Sequence, residues 1–138
     1  MNGFPKGRFK GDPGDTIYWS RYGEHTPHLY VVVTAPYGDP PRVVIVNLTS
    51  KQSHSDTTVV LLSSDHPFID RETVVNYNKA GSVCLERLKH EIEDGTAKPE
   101  APFSAHLLKT IQQGILDSAR TPRGIKELCR RMWQEQSR

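Results

Sequence analysis

An α+β fold that is mainly β is what this sequence predicts: a small antiparallel barrel or half-open sheet of about five to six strands, followed by two helices. Three observations carry that expectation. Residues 15 to 77 contain short runs rich in Val, Ile, Thr and Tyr; Gly-, Pro-, Asn-, Asp- and Ser-rich turns separate them; and from about residue 80 the apolar period lengthens to that of a helix.

The strand candidates, in order, are DTIYW (15–19), HLYVVVTA (28–35), RVVIVNL (42–48), TTVVLL (57–62) and TVVNY (73–77). Between them lie RYGEHTP, PYGDPP, TSKQSHSD and SSDHPF, all turn chemistry. The runs YVVV and VVIV are continuous rather than alternating, so both are expected to be central strands covered on two sides. With no helical pattern intervening, the strands are expected to pair antiparallel. Residues 84–94, CLERLKHEIED, suit a short helix. In SAHLLKTIQQGILDSA (104–119), Leu107, Leu108, Ile111 and Ile115 form an apolar stripe behind an N-capping Ser104. In TPRGIKELCRRMWQEQ (121–136), Thr121 caps, Pro122 opens the helix, and Ile125, Leu128, Cys129 and Met132 share a face. Helices this short need their stripes covered by the sheet, by each other or by a partner. The chain is thus expected to be one domain: a flexible arm (1–13), a barrel (14–80), a connector (81–103) and a helical part (104–138).

Composition narrows the function classes. The absence of a long apolar run or a signal-peptide core points to a cytoplasmic protein without membrane partners. Cys84 and Cys129 lack metal-site spacing and suggest no disulfide framework. Net charge is only +2, but residues 119–138 hold six Lys or Arg against two acids, whereas residues 1–78 hold seven against eight. A basic C-terminal segment is compatible with a phosphate-facing surface, but a solvated helix face is the commoner explanation for such a cluster. The Gly-rich start, GFPKGRFKGDPGD, lacks the Lys-Ser/Thr of a phosphate loop and leads into a strand, so no nucleotide cofactor is expected.

Of six histidines, His28 and His66 stand at strand ends, where a rigid sheet can hold a wet imidazole in register. Thr49 and Ser50 close a third strand. Cleaving RNA without a metal needs a base for the 2′-hydroxyl, an acid for the leaving oxygen, and donors around the phosphate. Imidazoles, with an unperturbed pKa of about 6.5, can divide the first two tasks. His28, Thr49, Ser50 and His66 therefore form the candidate catalytic set, with Arg21, Lys51, Arg71 and Tyr30 as substrate contacts. The plainer alternative has Thr49 and Ser50 capping a turn, and His66 bonded to Asp65 or a backbone amide beside Pro67, with Phe68 and Ile69 anchoring that turn in the core. A third reading uses His54, Asp56, Asp65, His66 and Asp70 as metal ligands, although their spacing matches no zinc signature.

The succession GDTIYW, HLYVVVT and VVIVNLTS resembles the MazF/PemK family of bacterial toxin endoribonucleases over roughly residues 14 to 62. In that family a Gly-Asp strand leads through a loop to RPALVLS and then to a strand ending in Thr-Ser. The resemblance implies an SH3-like barrel, usually dimeric, that cuts single-stranded RNA without metal by 2′-hydroxyl attack and is neutralised by a cognate antitoxin. It lays the family's catalytic Arg on His28 and its Thr/Ser pair on Thr49 and Ser50. A His at that place can still carry a proton but loses the bidentate guanidinium fork, which Arg21 or Arg42 would have to replace. SSDHPFIDRETVVNY and the C-terminal helices fall outside the family pattern. Two non-enzymatic readings stand beside it: an inhibitor resembling the CcdB-like gyrase inhibitors, acting through Met132 and Trp133, and a nucleic-acid-binding module using the barrel and basic tail.

Overall fold

The computed structural model describes residues 9–21 and 24–136. Its elements run β1 (Thr16–Trp19), β2 (His28–Val32), β3 (Arg42–Ser50), β4 (Val60–Leu61), β5 (Thr73–Cys84), α1 (Leu85–Glu93), β6 (Ala97–Glu100), α2 (Ala105–Asp117) and α3 (Arg123–Gln136). The six strands form one antiparallel sheet in the order β4-β5-β3-β2-β1-β6, curled into a half-barrel.

The continuous apolar runs are the central strands β2 and β3, and both faces of the sheet are covered. Because side chains alternate along a strand, Leu29, Val31, Val44, Val46 and Leu48 point to one face, and Tyr30, Val32, Val43 and Ile45 to the other. Helices α2 and α3 cover the first face with Ile111, Ile115 and Cys129, backed by half-buried Leu107, Ile125, Leu128 and Trp133. Helix α1 covers the second with Leu85 and Leu88, against Ile17, Trp19 and Ala97. The C-terminal helices are therefore part of the core of their own sheet. A chain cut after residue 103 would expose that core and could not test the barrel's activity separately.

Several boundaries differ from the sequence expectation, each for a local reason. TTVVLL pairs only at Val60–Leu61, because the Asp56 carboxylate accepts from both the amide and the hydroxyl of Thr58 and turns the chain. Strand β5 continues past Tyr77 to Cys84: Ile45 pairs with Gly81 and Asn47 with Asn76, so residues 77–80 bulge and pairing resumes beyond them. The expected connector holds the end of β5, α1 and the edge strand β6. Pro99 is tolerated there because β6 pairs only with β1. Residues 9–13, expected to belong to a flexible arm, are folded. The Asp15 carboxylate accepts from the amides of Lys10, Gly11 and Asp12 at 2.9, 3.1 and 3.1 Å, and Phe9 packs on the second core. Gly11 makes that nest at φ 87°. Residues 1–8 lie outside the described part.

Ser104 caps α2 by accepting the Leu107 amide, as expected. Both cysteines are free; burial of Cys129 pushes its thiol up to about 12, which leaves it an inert core residue. No helix among the described residues is long and apolar enough to cross a membrane.

Candidate functional site

A cleft of about 290 Å³ opens at the end of the sheet where β3 finishes and β2 and β5 begin. It is lined by His28, Thr49, Ser50 and Thr73 at the strand ends, by Phe68, Ile69 and Asp70 of the turn after β4, and by Tyr18, Leu29 and Leu48. The register explains this meeting. Leu29 faces Leu48 across β2 and β3, which places His28 level with Thr49, and Ser50 faces Thr73 across β3 and β5. The pleat then divides the three side chains. His28 and Thr49 share the face of Tyr30, whereas Ser50 shares the face of Leu29 and Leu48, so the cleft wraps over the strand ends.

His28 is half-buried and has a carboxylate neighbour that its sequence context did not reveal. Its Nε2 lies 3.8 Å from Glu24 Oε2, while Glu24 Oε1 accepts the Tyr30 hydroxyl at 2.6 Å. The Tyr30 side chain is buried (1% exposed), and burial together with its bond to Glu24 holds the phenol well above its usual range. It is thus a permanent donor that fixes Glu24, and Glu24 in turn faces the imidazole. A base oriented by a third group is the arrangement that activates a hydroxyl nucleophile, and such contacts are commonly long before substrate binds. Glu24 sits in the turn RYGEHTP, and only the strand pairing that carries Tyr30 back beside that turn makes it visible.

Tyr30 therefore cannot touch substrate as expected; it acts behind Glu24. Arg21 is also displaced from the expected role. Its guanidinium lies against Gly81 of β5, with Nη2 3.0 Å from where a Cβ would stand, and it does not line the cleft. Arg42, the other candidate replacement for the family Arg, bonds Ser82 Oγ at 2.7 Å and the Ser82 carbonyl at 2.8 Å at the opposite end of β3. Lys51 and Arg71 do lie close to the cleft, in a shallow hollow that adjoins it through Ser50 and Asp70. Lys51 Nζ is 3.8 Å from Glu72, and Arg71 Nε donates to Asp70 at 3.1 Å. Both pairs are solvent-exposed and hold weakly.

His66 has a different function from the one expected. It is buried, 4% exposed, and both ring nitrogens are occupied: Nδ1 accepts the Phe68 amide at 3.0 Å, so Nε2 carries the hydrogen and donates to the Ala101 carbonyl at 2.5 Å. The ring packs on Phe103, with centroids 4.6 Å apart. Asp65 is not its partner, since that carboxylate accepts the Leu62 amide. His66 therefore clasps the turn after β4 to the segment that enters α2. Ile69 anchors the turn in the core as expected, but Phe68 is 40% exposed and leans on Tyr18, with centroids 4.9 Å apart.

The clasp has a pH consequence. Burial lowers the His66 pKa, opposed by the Ala101 carbonyl and Glu100. The unfolded chain takes up this proton first as pH falls through about 6.5, so the stability linked to neutral His66 is complete above that pH and is lost below it, until the folded group itself titrates. Urea midpoints measured between pH 7.5 and 5 should fall more steeply for the native protein than for His66→Gln; parallel curves would show that His66 is not the titrating clasp.

The metal reading does not assemble. Asp56 is buried and accepts from Ser118 at 2.6 Å as well as from Thr58. Burial opposes its ionisation, but these donors and Arg120 outweigh it and hold the carboxyl below its usual range. His54 is exposed, and its carbonyl accepts from Arg120. Among the described residues no three His, Cys, Asp or Glu side chains come together as a metal-holding group.

No protein-family model and no curated protein matches this chain. The reading of its function therefore rests on the cleft.

Proposed function

We propose that the protein is an endoribonuclease of the toxin type, cutting single-stranded RNA by attack of the 2′-hydroxyl without a metal, and that an antitoxin neutralises it. The observation that supports this best is the Tyr30–Glu24–His28 series ending beside Thr49 in an open cleft. His28 takes the 2′-hydroxyl proton as the 2′-oxygen bonds to phosphorus. The 5′-oxygen leaves with its electron pair and is protonated by water, and the products are a 2′,3′-cyclic phosphate and a 5′-hydroxyl. Thr49 and Ser50 hydroxyls donate to the phosphate oxygens, and Lys51 and Arg71 offset the charge that develops there. The fold and the position of Thr49 and Ser50 also suit the MazF/PemK resemblance, with a carboxylate-backed His in place of its Arg.

The inhibitor reading is less well supported, because Trp133 packs against the core of its own sheet. Incubating the protein with mixed-sequence RNA in excess chelator, beside matched DNA and 2′-O-methyl RNA, tests the proposal. Only the RNA should be cut, leaving cyclic-phosphate ends. If folded protein leaves all three intact, the reading is wrong.

Replacing Tyr30 with Phe leaves Glu24 without its fixed donor, and loss of a hydrogen bond to a charged group is worth enough to lower kcat about tenfold. Because Tyr30 does not touch the RNA, KM should change little. A rise in KM at constant kcat would instead make Tyr30 a binding residue.

A further inference from the structure

An exposed Phe stands at the tip of a rigid turn and faces the cleft. Phe68 is held by the His66 clasp through its own amide, preceded by Pro67 and followed by the buried Ile69, so its position is set by the core even though its ring faces solvent. Of the large apolar side chains left exposed among the described residues, Val60, Leu62 and Phe68, only Phe68 lines the cleft. Its ring is tilted 46° against Tyr18, which backs it. The rest of the wall is mixed: Leu29, Leu48 and Ile69 continue the apolar part, and His28, Thr49, Ser50, Asp70 and Thr73 supply the polar part. The hollow with Lys51 and Arg71 continues from the same strand ends.

A purely apolar protein side chain would match only the Phe68, Leu29, Leu48 and Ile69 part of this wall and none of the polar residues beside it. A nucleotide has the matching parts, namely a flat π-face for Phe68 and a phosphate for the hydroxyls and cations. Resting on the reading of single-stranded RNA as the ligand, we infer that Phe68 is a stacking platform for one unstacked nucleobase. This base lies next to the phosphate that Thr49 and Ser50 receive, so Phe68 positions the scissile linkage before His28. The Asp-His-Pro turn thereby serves the site indirectly: His66 and Pro67 set the aromatic ring rather than supplying a proton.

The test uses the full chain and a short 2′-O-methyl oligonucleotide, which cannot be cut, with 2-aminopurine placed at successive positions. Stacking quenches that fluorophore. One position should be quenched on binding to the native protein. Phe68→Leu should abolish the quench and weaken binding by about 5- to 150-fold, the range for losing one stacked base, while Phe68→Trp retains both. Unchanged quenching and affinity in Phe68→Leu overturn the inference. So does a Phe68→Leu protein that binds normally but has lost a self-association of the native chain, since Phe68 would then be a protein contact. Because binding is read without turnover, a Phe68-dependent quench in a protein that cuts no RNA keeps the platform and rejects the nuclease. Cleavage that is indifferent to Phe68 does the reverse.

Discussion

His28→Ala is expected to keep its fold and lose about 10²- to 10⁴-fold in the rate of RNA cleavage, the range for removing a positioned general base. The side chain is half-buried at the start of β2, and its truncation leaves both cores intact. Far-ultraviolet circular dichroism and the thermal midpoint should therefore match the native protein. Added imidazole should restore part of the activity to this variant, because the small molecule can fill the space and accept the same proton. A residue needed only for shape would give no such rescue. Glu24→Gln should reduce activity less than His28→Ala and respond little to imidazole, since the base is still present but no longer faces a carboxylate. If His28→Ala cuts RNA at the native rate, the proton acceptor lies elsewhere and the cleft must be reassigned.

Gly114→Ala should give the largest loss of stability from a single methyl group. An Ala Cβ at this point of α2 would stand 1.8 Å from the Tyr77 hydroxyl and 2.4 Å from its Cζ. Tyr77 is fully buried, and its hydroxyl donates to the Ile111 carbonyl at 2.8 Å, so neither the ring nor the helix can move without opening the core between them. Overpacking and loss of a buried hydrogen bond together cost about 3 kcal/mol, which lowers the melting temperature by about 10 °C for a chain of this size. Although alanine is the better helix former, the clash outweighs its propensity of about 1 kcal/mol. Tyr77→Phe in the same chain should not restore stability, because the ring carbon remains at 2.4 Å, whereas Tyr77→Leu should recover part of it. An unchanged melting temperature in Gly114→Ala would mean that α2 does not sit this closely on β5.

What could be read from the residues in order were the features set by local chemistry. The Val- and Ile-rich runs of β2 and β3 had to be central strands, because only a strand covered on both faces can be apolar at every position. The Ser104 cap and most of the α2 and α3 stripes followed from helical spacing, with Leu116 and Trp133 packing on the core in place of the expected Leu108 and Met132. His28, Thr49 and Ser50 could be nominated because strand ends are where a sheet presents polar groups, and they do line one cleft together with the turn after β4. Cooperative, long-range pairing decided the rest. Residues 77–80 bulge and β5 continues because β3 is long enough to pair with it on both sides, and a stretch as polar as AKPE becomes a strand because β1 offers it an edge. Glu24 meets His28 only through the register that brings Tyr30 beside it. For His66, the adjacent Asp and Pro suggested an exposed turn, but the Ala101 carbonyl, 35 residues away in sequence, accepts its Nε2 hydrogen bond, and the ring is a core residue. The sequence by itself determined the central strands, the helices and the polar residues that end β2 and β3; the tertiary structure decided where β4 and β5 stop, that residues 97–100 pair at all, and which residues face each other, because a hydrogen-bond partner or a covering aromatic ring is chosen by the folded sheet and not by the neighbouring letters.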